Sequence, residues 1–239
     1  MSPEIIPLIN LAITFIPVAG LLIIFYFWSL DALHALYGVS RMLIQLLLIG
    51  YFLTFIFDAD HGGIILGVLI VMVSAASWIA LGNVPEQRTR LLGLTLFSIV
   101  IAGGLTLFMV TQLVLDLPDW HTPQVVIPLG GMIFSTSMNC VSLAAERLTS
   151  ELRRNVPYAE ARSTAFNAAL IPSINTLFAV GLVSLPGMMT GQILAGVDPF
   201  IAARYQIMVI TILLSAGGFS AFLFLVIGKS LILTGQESN

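Results

Sequence analysis

The chain has 239 residues, of which 58% are apolar and 9% are charged, and its formal net charge is −3. Soluble domains carry about 25% charged residues and about 45–50% apolar ones, so this composition excludes an ordinary soluble domain. The same hydrophobicity excludes a disordered chain, and the slightly acidic balance argues against nucleic-acid binding. The single cysteine, Cys140, excludes an intrachain disulfide and a metal site made only of thiolates.

Seven apolar stretches, each bounded by charged or turn residues, predict seven transmembrane helices. Apolar residues number about 139, and a spanning helix uses roughly 20, so the composition itself allows about seven spans. We therefore predict an all-α polytopic membrane protein with a single transmembrane domain over residues 1–239. The predicted spans are residues 5–28, 39–57, 63–81, 91–115, 125–143, 171–195 and 205–227.

The basic residues predict the orientation of these spans. Eight of the nine fall in alternate connections or in the C-terminal tail, and only Arg204 falls on the opposite side. Because positive charge is retained on the cytoplasmic side, we expect the N-terminus outside and the C-terminus in the cytoplasm, in the cell (inner) membrane. The eight are Arg41, Arg88, Arg90, Arg147, Arg153, Arg154, Arg162 and Lys229.

The cytoplasmic segment 144–170 holds seven of the 21 charged residues of the chain. Arg147 and Glu151 are spaced to pair across one helical turn, and Pro157 predicts the start of a second helix. The segment is therefore expected to be helical. It is either a solvated hairpin or a docking surface for a soluble partner.

The central parts of the predicted spans contain no Asp, Glu, Lys, Arg or His, whereas proton-driven carriers usually place such a residue there. A transporter of this kind needs an external source of energy. The tripeptide Gly228-Lys229-Ser230 is not a phosphate-binding loop, because Leu223 stands where that motif requires glycine. The polar groups that do occur in the spans are neutral: Gln45, Gln112, Asn139, Asn175, Gln192 and Gln206.

An enzymatic function is not expected from the sequence. The histidines His34, His61 and His121 lie in three separate connections, and no paired ligand or nucleophile motif occurs within a helix.

The sequence VGLVSLPGMM, residues 180–189, is unusual for a membrane span. Pro186 and Gly187 loosen a helix, and Met188 and Met189 add adaptable apolar side chains. The segment is either a simple kink or a broken helix that lines a transport route.

Two groups of carboxylates and imidazoles are expected on the outer side, because they follow the second and fourth predicted spans. Such ligands suit divalent transition metals, and an acidic rim also attracts cations. The alternative is that they are solvated loop caps. The groups are Asp58, Asp60 and His61, and Asp116, Asp119 and His121.

The stretch GLVSLPGMMTGQILAGVDP, residues 181–199, and the sequence YQIM that begins at Tyr205 closely resemble the signature of the FetB-type iron-export permease family. That family also includes the plant aluminium-sensitivity membrane proteins. The resemblance covers about residues 37–210. It implies a translocation pathway formed by Arg41, Gln45, Tyr51, Met132, Asn139, Asn175, Ser184, Pro186, Gly187, Met188, Met189 and Gln206.

The resemblance implies the permease subunit of an ABC transporter that exports iron or another metal. A separately encoded ATP-binding subunit supplies the energy, so ATP and Mg belong to the partner and this chain binds no cofactor. A second copy of the chain is also expected, since seven spans are few for a complete pathway. The expected docking residues are Arg147, Arg153, Arg154, Glu160 and Arg162.

The chain departs from the family pattern in two places. Ser135 and Thr136 replace a common Gly-Asn pair, and the segment 144–170 is roughly 15 residues short and lacks a Leu-Gly-Ala turn. The shorter segment leaves a second function open, a passive channel or a membrane scaffold that is not coupled to an ATPase.

Overall fold

A computed structural model describes residues 6–57 and 61–236 of the chain, with side chains described as far as residue 232. The described residues are almost entirely helical and contain no strand. The chain divides into two compact units, Met1–Ala59 and Asp60–Asn239. The helices are α1 (Leu8–Ile13), α2 (Phe15–Phe27), α3 (Ala32–Phe57), α4 (Gly62–Ala80), α5 (Arg88–Met109), α6 (Pro123–Arg153), α7 (Tyr158–Ala179), α8 (Gly187–Leu194), α9 (Pro199–Ile227) and α10 (Lys229–Gln236).

In the first unit, α1 and α2 form one apolar stretch that is interrupted at Thr14. The interruption has a local cause, because the ring of Pro17 clashes with the carbonyl of Ile13 in a continuous helix. Helix α3 begins at Ala32, seven residues before the predicted span. Arg41 stands near the start of the predicted span 39–57 and was counted with the residues of the connections. This is corrected: Arg41 lies inside α3, about 14 Å along the helix from its first residue.

Within residues 6–57 and 61–236, six helical segments are long and apolar enough to cross a membrane, so the chain is a polytopic helical membrane protein. Their positions agree with six of the predicted spans, although α6 continues ten residues beyond the predicted end at Leu143. They are Leu8–Phe27, Ala32–Phe57, Gly62–Ala80, Pro85–Val114, Pro123–Arg153 and Pro199–Ile227.

The sixth predicted span, residues 171–195, does not form one helix. Helix α7 ends at Ala179, a turn follows, and α8 begins at Gly187. Pro186 explains the break, since it disfavours a helical conformation at Leu185 and cannot donate a backbone hydrogen bond. Hydropathy alone had joined two helices into one, because the connecting turn is itself apolar.

In the second unit, α6 is the central helix and packs against α4, α5, α7 and α9. Small residues permit this packing, since Ala144 of α6, Ala165 of α7 and Ala216 of α9 are all fully buried. At Gly217 a Cβ atom would lie only 2.7 Å from the Sγ atom of Cys140. Helices α6 and α9 therefore approach each other more closely there than a larger residue allows.

The helices place the charges of the second unit at two opposite ends. We call one the basic end; it carries Arg88, Arg90, Arg147, Arg153, Arg154, Arg162 and Lys229, together with Glu86, Glu146, Glu151 and Glu160. The other, the acidic end, carries Asp116, Asp119 and Asp198, together with Arg204.

Candidate functional site

The break between α7 and α8 is a compact hydrogen-bonded turn. The carbonyl of Ala179 accepts from the backbone N–H groups of Val183 and Ser184 at 2.8 and 3.2 Å, and Gly181 N–H donates to the Ser184 carbonyl at 3.0 Å. Gly181 has a φ of +82°, a conformation that L side chains rarely adopt. The tip is exposed, with Leu182 91% accessible. The family-like segment therefore ends one helix and starts another.

A cleft of about 570 Å³ lies between α6, α8 and α9 near the acidic end. Three methionines from three helices line it, namely Met132, Met188 and Met208. Gln192 of α8 lines it as well, and its Oε1 atom is buried without a hydrogen-bond partner. The cleft has the size of a small-ligand site and a mainly apolar wall.

A smaller cavity of about 210 Å³ lies between α6, α7 and α9, nearer the basic end than the first. Its polar lining comes from Thr136, Asn139, Ser173 and Thr176, and the Sγ atom of Cys140 lies 4.0 Å from the Ser173 hydroxyl. Asn139 is exposed. The two cavities follow the same two helices, α6 and α9, from the acidic end inward.

The remaining residues of the predicted pathway are dispersed. Asn175 and Ser184 are exposed on α7 and in the turn, whereas Gln206 is buried on α9 and its Oε1 atom has no partner. Pro186 and Gly187 form the start of α8. Met189 follows Met188 and is half-buried, but it does not line the 570 Å³ cleft. Arg41, Gln45 and Tyr51 all belong to α3 of the first unit and are exposed there.

The basic end presents a groove of about 510 Å³ between the connection that follows α4 and the last turns of α6. Arg153 Nη2 and Glu86 Oε2 form an ion pair across it at 2.9 Å, and both side chains are more than half exposed. Asn83 donates to the Ser142 hydroxyl at 3.3 Å. The groove walls carry both signs of charge, from Glu86, Glu146, Arg153 and Arg154.

The predicted Arg147–Glu151 pair forms, at 2.6 Å. Arg154 lies 3.9 Å from the same carboxylate, and the Glu151 side chain is only 8% exposed. These contacts hold the end of α6 together as a structural unit. Arg147 is therefore half-buried and paired with Glu151 inside the chain. Arg153, Glu160 and Arg162 are exposed.

The hairpin that joins α6 to α7 turns within residues 154–157, and α7 begins at Tyr158, as Pro157 predicts. The Tyr158 hydroxyl donates to the carbonyl of Leu225 near the end of α9, at 2.5 Å. Tyr158 lies in the segment 144–170, outside the predicted spans. Burial raises the pKa of Tyr158, against a smaller lowering by Arg162, so its hydroxyl stays protonated as a donor.

The other side of the basic end is fixed by Arg88. Its guanidinium donates to the Trp78 carbonyl from Nε and Nη2, at 3.1 and 2.7 Å, and its Cζ atom lies 3.8 Å from the centroid of the Trp78 ring. This clamp joins the end of α4 to the start of α5 and so positions the Glu86 wall of the groove.

The outer residues predicted to bind metal are described only in part, because Asp58 and Asp60 lie outside the described residues. A Cβ atom on Gly62 would lie 3.5 Å from the Cβ atom of His121, so His61 and His121 belong to neighbouring backbone segments. Within the residues that the structure describes, no three His, Cys, Asp or Glu side chains form a metal-binding group. Asp116 and Asp119 stand in the same loop as His121.

Several residues of these sites were not singled out from the sequence as site residues. Met208 is one helical turn after Tyr205 within the family-like YQIM sequence, so a signal for it was present. Glu86 is 67 positions from Arg153 and gives no local signal. Only the fold brings it to the hairpin.

The sequence profile of the uncharacterised protein family UPF0014 matches residues 8–162 and 156–232. The chain is 36% identical over 194 residues to the UPF0014 membrane protein slr1647 of Synechocystis sp., with 75% of each chain covered. It is 33% identical over 207 residues to the probable iron export permease protein FetB of Escherichia coli, with 79% of this chain and 77% of that one covered.

A plant protein is also similar. The chain is 29% identical over 203 residues to the protein ALUMINUM SENSITIVE 3 of Arabidopsis thaliana, with 78% of this chain and 72% of that one covered. No solved structure is significantly similar. The two matched stretches of the family profile overlap at residues 156–162, where α7 begins after the short hairpin turn.

Proposed function

The chain belongs to the UPF0014 family, and from this membership we propose that it is the membrane subunit of an ABC-type exporter of iron or another metal. The observation that carries the proposal is the similarity to the iron export permease protein FetB over more than three quarters of both chains. ATP hydrolysis then belongs to a separately encoded subunit, which also binds Mg. This sequence contains no phosphate-binding loop, which agrees with ATP hydrolysis by a separate subunit.

The translocation route of the proposed exporter runs along α6 and α9, past the two cavities. Helices α7 and α8 together form a seventh, broken crossing of the membrane. Helix α7 lines the cavity of about 210 Å³, and α8 lines the cleft of about 570 Å³. Broken helices are typical of transport sites because they can present backbone groups at bilayer depth. The break at residues 180–186 lines neither cavity itself, and it serves the route by placing α8 beside the cleft.

The ATP-binding subunit docks on the groove at the basic end. Helix α6 is about 46 Å long and exceeds a bilayer core of about 30 Å, so its charged last turns project from the membrane. The groove joins this projection to the connection after α4 through the Arg153–Glu86 pair. A partner that fits it presents carboxylates to Arg153 and Arg154 and a basic group to Glu146.

The orientation of the second unit follows from its charges. Seven of its eight basic residues lie at the basic end, which we therefore place on the cytoplasmic side of the inner membrane. The acidic end, with the cleft mouth and the residues Asp116, Asp119 and Asp198, then faces outward. An acidic outer rim also suits the release of a cation.

A second copy of the chain completes the pathway. Asn139 and Asn175 are exposed on helices that pass through the apolar region, and uncovered amides are unfavourable against lipid. A partner copy that brings the same groups covers them by hydrogen bonds between helices.

A passive channel or a scaffold without an ATPase is the second candidate. The four-residue turn at residues 154–157 favours it, because the family pattern has a longer segment at this place. Flux through the reconstituted chain without ATP would support this candidate.

Co-purification tests the leading proposal. The chain, expressed with the ATP-binding subunit encoded beside it, is expected to form a stable complex in which metal stimulates ATP hydrolysis. A chain that neither binds that subunit nor responds to any metal in a transport panel is not the membrane subunit of an ABC-type exporter.

A further inference from the structure

The cleft between α6, α8 and α9 holds an unusual set of donor atoms. Met132, Met188 and Met208 stand on three different helices, and each is half-buried against the same space of about 570 Å³. One of these helices, α8, exists as a separate element only because the chain breaks at Pro186. The break thus brings a thioether to the cleft that a straight helix would place elsewhere.

Gln192 supplies a second, independent observation. Its Oε1 atom is inaccessible to solvent and accepts no hydrogen bond, although the side chain lines the cleft. A buried acceptor without a partner is unfavourable, and such a group in a binding cleft is accounted for when a ligand supplies the missing positive charge or donor.

The lining also determines which charge the cleft accepts. Among the described residues that line it there is no carboxylate, imidazole or thiol, and Tyr205 is the one titratable group. Neutral donors do not offset two positive charges in a low-dielectric site, and the desolvation cost of an ion grows with the square of its charge. Thioether sulfur is a soft ligand that selects Cu(I) over harder divalent ions.

We propose that this cleft binds a soft monovalent cation of the Cu(I) class through the sulfur atoms of Met132, Met188 and Met208. A rotation of the Gln192 side chain toward the cleft brings its Oε1 atom to the cation as the fourth, harder donor. The identification of this cation as cargo rests on the proposed transport function, whereas the binding itself does not.

The cleft has a suitable mouth for such a cation. Leu115 and Val197 line it, and each is followed directly by an aspartate of the acidic end, Asp116 and Asp198. Fixed carboxylates beside a low-dielectric opening raise the local concentration of cations. The carboxylates of Asp116 and Asp198 are not among the proposed ligands of the cation.

Titration of the full-length chain in detergent with Ag(I), a redox-stable probe of the same class, tests the site. All proteins carry Cys140→Ser, which removes the one thiol of the chain. One Ag(I) per chain is expected. The triple variant Met132→Leu, Met188→Leu and Met208→Leu is expected to lower the affinity at least tenfold, while leucine keeps the side-chain volume nearly constant.

The matched control replaces three methionines that do not line the cleft, Met42, Met72 and Met109, by leucine. This variant is expected to bind Ag(I) as the parent chain does. Equal affinities of the two triple variants would overturn the proposal. So would tighter binding of Fe(II) than of Ag(I) by the parent chain.

X-ray absorption at the silver edge provides a measurement that requires no substitution of a methionine. The parent chain again carries Cys140→Ser, so that any sulfur ligand is a thioether. The parent chain with one equivalent of Ag(I) is expected to show sulfur in the first coordination shell, and a shell of nitrogen and oxygen alone overturns the site. Ag(I) binding by a chain without ATP-driven transport would reject the proposed function and retain the site. ATP-driven metal export without Ag(I) binding would reject the site and retain the function.

Discussion

The hydroxyl of Tyr158 donates a hydrogen bond to the backbone carbonyl of Leu225, so the first residue of α7 is joined to the last turn of α9. The last four carbonyls of a helix have no partner within it, and this hydroxyl satisfies one of them. Lys229 Nζ lies 5.8 Å from the centroid of the Tyr158 ring. Because α9 continues to the methionine-lined cleft, this bond connects the hairpin between α6 and α7 to the helix that carries Met208.

Tyr158→Phe is expected to weaken this connection while keeping the ring and its contact with Lys229. The loss of one partly buried hydrogen bond costs about 1 kcal/mol, which lowers Tm by roughly 2–4 °C for a chain of this size. Thermal unfolding in detergent measures the effect. We also expect weaker metal stimulation of the ATPase with complex formation unchanged. An unaltered Tm and unaltered stimulation would show that the hydrogen bond contributes neither to stability nor to the stimulation of the ATPase.

Arg153→Glu with Arg154→Glu is expected to abolish co-purification with the ATP-binding subunit. Both side chains are more than half exposed, and their reversal changes the charge that the groove presents to its partner. The exposed pair with Glu86 contributes at most about 1 kcal/mol to stability, so the double variant should still insert and fold. Pull-down from solubilised membranes measures the association.

Arg204→Glu is the matched control, because it reverses one charge at the acidic end. Its co-purification is expected to equal that of the parent chain. Loss of association in Arg204→Glu, or its persistence in the double variant, contradicts the assignment of the docking groove to the basic end.

Hydropathy and charge predicted much of this architecture. Pro157 indicated the start of α7, and the i,i+4 spacing of Arg147 and Glu151 indicated their ion pair, which is confirmed. The family resemblance read from residues 181–199 is confirmed by the UPF0014 match. These are local signals, and each depends on residues within one or two helical turns.

The predicted spans differ from the observed helices where the hydropathy of a segment does not determine its backbone conformation. The turn at residues 180–186 is as apolar as the helices beside it, so it was included in one span. The start of α3 is less apolar, and the helix nevertheless begins at Ala32. The Glu86–Arg153 pair joins residues that are distant in sequence, which only the packing of α4, α5 and α6 determines.

Pro186→Ala is expected to change transport without preventing membrane insertion. Alanine removes the restriction on Leu185 and lets α8 extend toward α7, which shifts Met188 and Gln192 relative to the cleft. Efflux from vesicles measures the change. Pro17→Ala is the control, since Pro17 lies in α2, lines neither cavity, and its replacement repairs a helix without altering the break between α7 and α8. Equal transport by Pro186→Ala and the parent chain reduces the break to a packing feature.

Replacing Asp58, Asp60, Asp116 and Asp119 by asparagine tests the loops that are predicted to form an acidic outer rim. If they accept or concentrate the exported cation, both metal efflux and metal binding on the outer side are expected to fall, because the rim loses its negative potential. Co-purification with the ATP-binding subunit should be unchanged. Asp31→Asn, between α2 and α3, provides a control with preserved efflux, because the asparagine Oδ1 atom still accepts from the His34 N–H group. Efflux that is indifferent to the four substitutions identifies the loops as solvated caps.

Two adjacent glycines of α9 provide a test of the helix packing itself. A Cβ atom at Gly217 would meet the Sγ atom of Cys140 at 2.7 Å, whereas one at Gly218 would meet only the Cδ2 atom of Leu170, at an ordinary 3.6 Å. Gly217→Ala is therefore expected to separate α9 from α6 and to cost about 1–3 kcal/mol. Gly218→Ala should be neutral or stabilising by up to about 1 kcal/mol, because alanine favours the helix.

The cause of this difference is checked by adding Cys140→Ala to Gly217→Ala. Removal of the Sγ atom leaves the Cγ2 atom of Thr136 as the nearest contact, at 3.2 Å, so part of the lost stability should return. Thermal unfolding is measured for the parent chain, Gly217→Ala, Cys140→Ala and the double variant. This double-mutant cycle gives the interaction energy between positions 140 and 217, which is expected to be favourable and at least about 0.5 kcal/mol. Equal Tm values for Gly217→Ala and Gly218→Ala would mean that α6 and α9 are farther apart at Cys140 than the structure places them.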